Sequence, residues 1–84
     1  EEKLNDLNFN FSARLEVDYL NEEYNLNILK SEAYETLGGF IIEHTENIPE
    51  EKELIQIDNL EFKILKMSGA KIDEISLKII SPED

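Results

Sequence analysis

Apolar residues recur along this chain with two different periods, and the main change falls at Pro49. In Asn8-Phe9-Asn10-Phe11-Ser12 the two rings alternate with polar residues, which predicts a short strand carrying both rings on one face. Ala13, Val17, Leu20 and Tyr24 then recur at helical spacing among Glu16, Asp18, Glu22 and Glu23. This predicts a short amphipathic helix over about 15–24, with Asn25 as a left-handed stop. Residues 26–29, Leu-Asn-Ile-Leu, form an apolar connector expected to tuck under a sheet, and 30–35 is expected to be exposed. Leu37, Phe40, Ile41 and His44 fall at i, i+3, i+4 and i+7, one face of a second helix over about 36–45. Thr36 is placed to cap its start, and Asn47 and Pro49 end it.

Beyond Pro49 the period is 2. Residues 54–57 form a strand, and Asp58-Asn59 is a turn. Over 60–67, Leu60, Phe62 and Ile64 share one face, and Glu61, Lys63, Leu65 and Met67 the other. After a Ser68-Gly69 turn, 71–80 places Ile75, Leu77 and Ile79 opposite Glu74, Ser76 and Lys78. A meander that is apolar on one side needs a cover, and the two helices can supply it. The expected fold is therefore α+β, an antiparallel sheet of about four strands with two short helices on one face. Residues 1–7 read as a linker or disordered start, 8–80 as the domain and 81–84 as a tail.

Gly38 and Gly39 sit in the first turn of the second helix. Each costs about 1 kcal/mol relative to alanine in a helix interior. Keeping both implies a use that only glycine serves, such as close backbone approach or a groove for a partner. Thr36, Gly38, Gly39, Phe40 and Ile41 are accordingly the candidate packing or docking surface.

Composition narrows the partners. Eighty-four residues make one small domain, and 20 acidic against 8 basic residues give a net charge of −12. That charge repels phosphate backbones and anionic lipid, so neither nucleic acid nor a membrane surface is an expected partner. With no cysteine there is no disulfide framework, which suits a reducing cytosol. There is no apolar run of membrane-spanning length and no signal-peptide core after the acidic start. The chain begins without Met, and the expectation is a piece of a longer protein.

Candidate chemistry is sparse. His44 is the single histidine, and the serines have no G-x-S-x-G setting. Glu50, Glu51 and Glu53 cluster in a turn, but no D-x-D-x-D-G loop accompanies them. Gly38-Gly39 after Thr36 suggests an anion-binding helix start, yet no Lys or Arg lies nearby in sequence and G-x-G-x-x-G is absent. The expectation is no catalytic residue, no metal site and no cofactor.

The order of these signals carries a resemblance. Val17-Asp18-x-Leu20-Asn21, then Y-E-T-L-G-G-F-I-I over 34–42, Ile48-Pro49, N-L-E-F-K-I-L over 59–65 and K-I-D-E-I over 71–75 resemble the C-terminal CorC/HlyC domain, or transporter-associated domain. The resemblance runs from about Phe9 to Ile80. It implies an antiparallel sheet with helices on one face, akin to part of certain FAD-binding folds. It also implies a non-enzymatic cytosolic module that follows CBS domains in membrane proteins of magnesium/cobalt efflux and haemolysin-related type. Its partners would be the CBS pair and membrane domain of its own parent chain, or a second copy. Two positions depart from the family, which often has glycine just before Ile-Pro, here Glu46-Asn47, and before the next strand, here Lys52. The competing expectations are a nucleotide- or flavin-like sensor and an acidic cation-buffering domain.

Overall fold

Seven elements form in the computed structural model, which describes residues 2–4 and 7–80. They are β1 (Glu2–Lys3), β2 (Asn8–Ser12), α1 (Val17–Tyr24), α2 (Leu37–Thr45), β3 (Leu54–Ile57), β4 (Leu60–Ser68) and β5 (Lys71–Ile79). The strands make one antiparallel sheet in the order β1-β2-β5-β4-β3. The meander β3-β4-β5 is as expected, and β2 joins it by pairing with β5. The stretch expected as a linker contributes β1, a two-residue edge strand on Phe9 and Asn10. The expected tail, 81–84, lies outside the described residues.

The strand register explains the core. Phe9, Leu77, Phe62 and Ile55 form one cross-strand row, and Phe11, Ile75 and Ile64 the next. All are buried, and they pack in one cluster with Val17 and Leu20 of α1 and Leu37, Phe40 and Ile41 of α2. Both helices therefore cover the same face, and the α+β class is the observed one. The rings of Phe9 and Phe11 stack at 5.4 Å, and Tyr24 meets Phe9 edge-on at 5.1 Å and Phe11 at a tilt at 5.2 Å. Such aromatic contacts add about 0.5–1.5 kcal/mol beyond area burial.

Strict alternation fails at one place. Ile64 pairs with Ile75, Lys66 with Glu74 and Met67 with Ile72, so Leu65 and Asp73 are each an extra residue opposite none. The two bulges compensate. They turn Met67 to the core side, where it packs half-buried, instead of the open face expected for it. They also bury Ile72, three residues before Ile75 and so of opposite parity. The ladder is interrupted there, and the Met67 amide donates to Glu51 Oε2 at 3.0 Å instead.

Helix boundaries follow the capping signals with small shifts. Asn25 ends α1 in the left-handed conformation. The residue that does so for α2 is Glu46, at φ 61°, rather than Asn47. The second hairpin turn is Gly69-Ala70, one residue later than expected, with Gly69 at φ 63°. Asn21 supplies something the periodicity does not show. Its side-chain amide accepts from the Ile28 amide at 2.7 Å and donates to the Ile28 carbonyl at 2.8 Å. The connector is thereby pinned to α1, with Asn27 left-handed at φ 60°, Leu26 and Ile28 buried and Leu29 thrown outward.

Glu46 and Lys52 both take positive φ, 61° and 71°. These are the positions where glycine was expected from the family pattern. A left-handed non-glycine residue costs about 1–2 kcal/mol, and glycine loses part of that gain to chain entropy. Glu46→Gly and Lys52→Gly should each raise stability by about 0.5–1 kcal/mol, measured from urea unfolding midpoints.

Candidate functional site

The starts of the two helices clasp each other through backbone alone. The Val17 amide, first of α1, donates to the Glu35 carbonyl at 2.9 Å. The Leu37 amide, first of α2, returns the bond to the Leu15 carbonyl at 2.9 Å. Glu16 and Thr36 face each other as an antiparallel bridge between these bonds. Gly38 N–H then donates to Ala13 O at 3.0 Å, and Ala13 N–H to Asp73 O of the β5 bulge at 2.9 Å. Thr36 caps α2, its hydroxyl accepting from Gly39 N–H at 3.2 Å. The opening amides of a helix normally lack partners. Here Leu37, Gly38 and Gly39 all donate within the chain.

This clasp shows what the glycines do. A Cβ on Gly38 would stand 3.0 Å from Ala13 Cβ and 3.3 Å from Ala13 O. Ala13 is held by two backbone bonds and has no long side chain to move aside. A Cβ on Gly39 would meet Tyr34 Cβ at 3.1 Å and Thr36 Oγ1 at 3.3 Å. Gly38 thus lets α2 sit on the end of β2, and Gly39 lets Tyr34 lie against the helix.

Of the expected surface residues, Gly38, Phe40 and Ile41 are buried by the chain itself, and Thr36 and Gly39 are half-buried. The outward features next to them are Tyr34, His44 and Leu29. The Tyr34 ring meets Phe40 edge-on at 5.4 Å, and Phe40 lies 6.4 Å from His44. His44 is exposed, not packed in the core face where helical spacing put it. Together with Leu29 and Glu43 these rings line a groove of about 320 Å³. The Tyr34 hydroxyl donates to the Leu29 carbonyl, which fixes the groove's lip. Leu29 itself is 74% exposed, forgoing about 1.5–3 kcal/mol of burial. Burial of the Tyr34 phenol, and then the nearby Glu43 carboxylate, raise its pKa above 10.0.

The acidic turn after Pro49 is engaged structurally. Glu53 Oε1 accepts from the Glu50 amide at 2.9 Å, and Glu51 serves the bulge. Among the described residues no group of three or more His, Cys, Asp or Glu is arranged to hold a metal ion. Arg14 and Lys71 come together in a cleft of about 450 Å³ beside Gly38 and Gly39, a proximity no sequence spacing shows, and Asp73 lines it too.

The class this defines is an acidic α+β domain in which the α2 start is closed within the chain and tied by backbone bonds to the start of α1. The family model of the CorC/HlyC transporter-associated domain matches residues 2–81, and the chain belongs to that family. A curated relative, the UPF0053 protein sll0260 of Synechocystis, is 33% identical over 73 residues, covering 83% of this chain and 16% of that protein. This chain thus corresponds to about one-sixth of the relative's length. Among solved structures, the region associated with a candidate Mg2+ and Co2+ transporter (CorC) from Neisseria meningitidis superposes with a TM-score of 0.84. It is 18% identical, with coverage of 94% of this chain and 96% of that one. The CorC_HlyC domain of a Xylella fastidiosa hemolysin, solved in complex with Mg++ and Mn++, gives a TM-score of 0.74 at 24% identity, over 88% and 89% of the two chains.

Gly38→Ala should destabilise the domain by about 1–3 kcal/mol through overpacking, although glycine to alanine ordinarily favours a helix. Ala13→Gly in the same chain should recover part of the loss, read as a coupling energy in a urea double-mutant cycle. Because the folded Tyr34 pKa is raised, its stabilising contribution is complete below the unfolded value near 10.0 and is lost as pH rises through the folded value. Ultraviolet titration should show the Tyr34 phenol, identified by its loss in Tyr34→Phe, ionising above the ordinary phenol value, and Glu43→Gln should bring that step earlier.

Proposed function

We propose that this chain is a non-catalytic regulatory domain of a transporter of divalent cations of the magnesium and cobalt type. It would lie on the cytoplasmic side of the cell membrane, dock on the CBS domains and membrane domain of its own parent chain or on a second copy, and bias the transporter's conformation. The observation that carries this reading is the transporter-associated family model matching residues 2–81. The cation class is suggested by the names of the Neisseria and Xylella proteins, which have the same fold. No helix among the described residues is long and apolar enough to cross a membrane, so the reading places the ion path in other segments of the parent.

The physical basis for docking rather than ligand sensing is the clasp. A nucleotide or flavin phosphate held at a helix start needs free amides. Those of Leu37, Gly38 and Gly39 already donate to Leu15, Ala13 and Thr36. The domain offers instead an acidic body with an apolar groove lined by Leu29, Tyr34 and Phe40.

Flux of Mg2+ or Co2+ through the parent protein in vesicles tests the reading, with residues 8–80 present or removed. Transport should persist without the domain while its dependence on cation concentration changes. Identical flux and identical dependence would remove the regulatory role. Loss of all flux from a correctly inserted protein would show that the domain is required for transport itself.

A further inference from the structure

Two concavities meet at Tyr34. On one side is the groove formed by Leu29, Tyr34, Phe40 and His44. On the other is a trough of about 570 Å³ whose lining includes Glu16, Asp18, Glu32 and Glu35. Ser31 and Tyr34 line both, so the two form one continuous surface. Its apolar part is built, not incidental. Gly39 admits Tyr34 to the helix, the phenol ties down the Leu29 carbonyl, and the connector that buries Leu26 and Ile28 leaves Leu29 projecting. Its charge is one-sided. Four carboxylates line the trough and Glu43 lines the groove, against the single Lys30, which lies 3.3 Å from Asp18 as an exposed pair.

We propose that this surface receives a basic amphipathic segment of a partner, one apolar side chain entering between Leu29 and Phe40 and flanking Lys or Arg side chains lying along the trough. The inference rests on the docking role proposed above and gives it a place and a partner chemistry. Charge complementarity selects the occupant. A second copy would bring a chain of the same −12 net charge against these carboxylates, and like charges disfavour that approach. Phosphates and anionic lipid are repelled for the same reason. An apolar side chain flanked by cations satisfies both halves of the surface at once.

Fluorescence anisotropy of this chain with a short fluorescein-labelled peptide of Lys and Leu tests it. Two control peptides replace Leu by Ser or Lys by Glu. The Lys/Leu peptide should bind saturably and more weakly as salt rises. Leu29→Ser and the Glu32→Gln/Glu35→Gln pair should each weaken binding roughly tenfold, with the urea midpoint unchanged because these side chains are exposed. No saturable binding would overturn the proposal. So would equal binding of the Lys/Ser or Glu/Leu peptide, or equal binding to Leu29→Ser. A concentration-dependent dimer that Leu29→Ser abolishes would make a second copy the occupant and overturn it as well. Peptide binding and vesicle flux fail separately: lost binding with intact regulation removes only this surface, and lost regulation with intact binding removes only the regulatory role.

Discussion

The rest of the structure depends on the reciprocal pair of backbone hydrogen bonds between residues 15–17 and 35–37. Each helix is short, eight residues in α1 and nine in α2, and helices of that length are marginal alone. The clasp joins their starts, and Ala13 joins the clasp to the β5 bulge. A helix start, a strand end and a bulge are thereby locked at one point, which fixes how both helices lie on the sheet. Gly38 is the residue that permits the approach. Its helix cost is about 1 kcal/mol, and a Cβ there would press to 3.0 Å on the Ala13 Cβ and 3.3 Å on the Ala13 carbonyl oxygen.

The parts of this fold that depend on local period were legible in the sequence. Phe9 and Phe11 on one face, the α2 stripe, the Thr36 cap and the meander all follow from spacing and capping chemistry. What depended on distant backbone was not. Parity cannot show that Leu65 and Asp73 are bulged, so Met67 reads on the wrong side and the burial of Ile72 is not foreseen. His44 falls on the apolar stripe by angle, but it lies in the last turn of α2, past the edge of the core, and is exposed. Asn21 is part of the family motif, but only the return of the chain at Ile28 reveals its double hydrogen bond. The glycine pair was visible as a cost, but its purpose required the position of Ala13 and Tyr34.

The same geometry redistributes the candidate site. The residues picked out around Gly38 and Gly39 are largely consumed in packing, and what they create lies one layer out, at Tyr34, Leu29 and the face of Phe40. The family pattern helps explain why: a Tyr-x-Thr-x-Gly-Gly motif encodes the cap, the close approach and the aromatic wall together. The acidic charge then acts as a filter on that surface. It contributes little through single exposed pairs such as Lys30–Asp18, and more through the summed field that favours basic partners.

The central claim is that backbone hydrogen bonds tie the first amides of both helices, Val17 and Leu37, and the Gly38 amide to distant carbonyls of the chain. Amide hydrogen exchange measured by NMR tests it most directly. The amides of Val17, Leu37 and Gly38 should exchange as slowly as those in the middle of β4 and β5, since opening them requires releasing both helices from the sheet. Fast exchange at these three amides, as at an ordinary frayed helix start, would contradict the account.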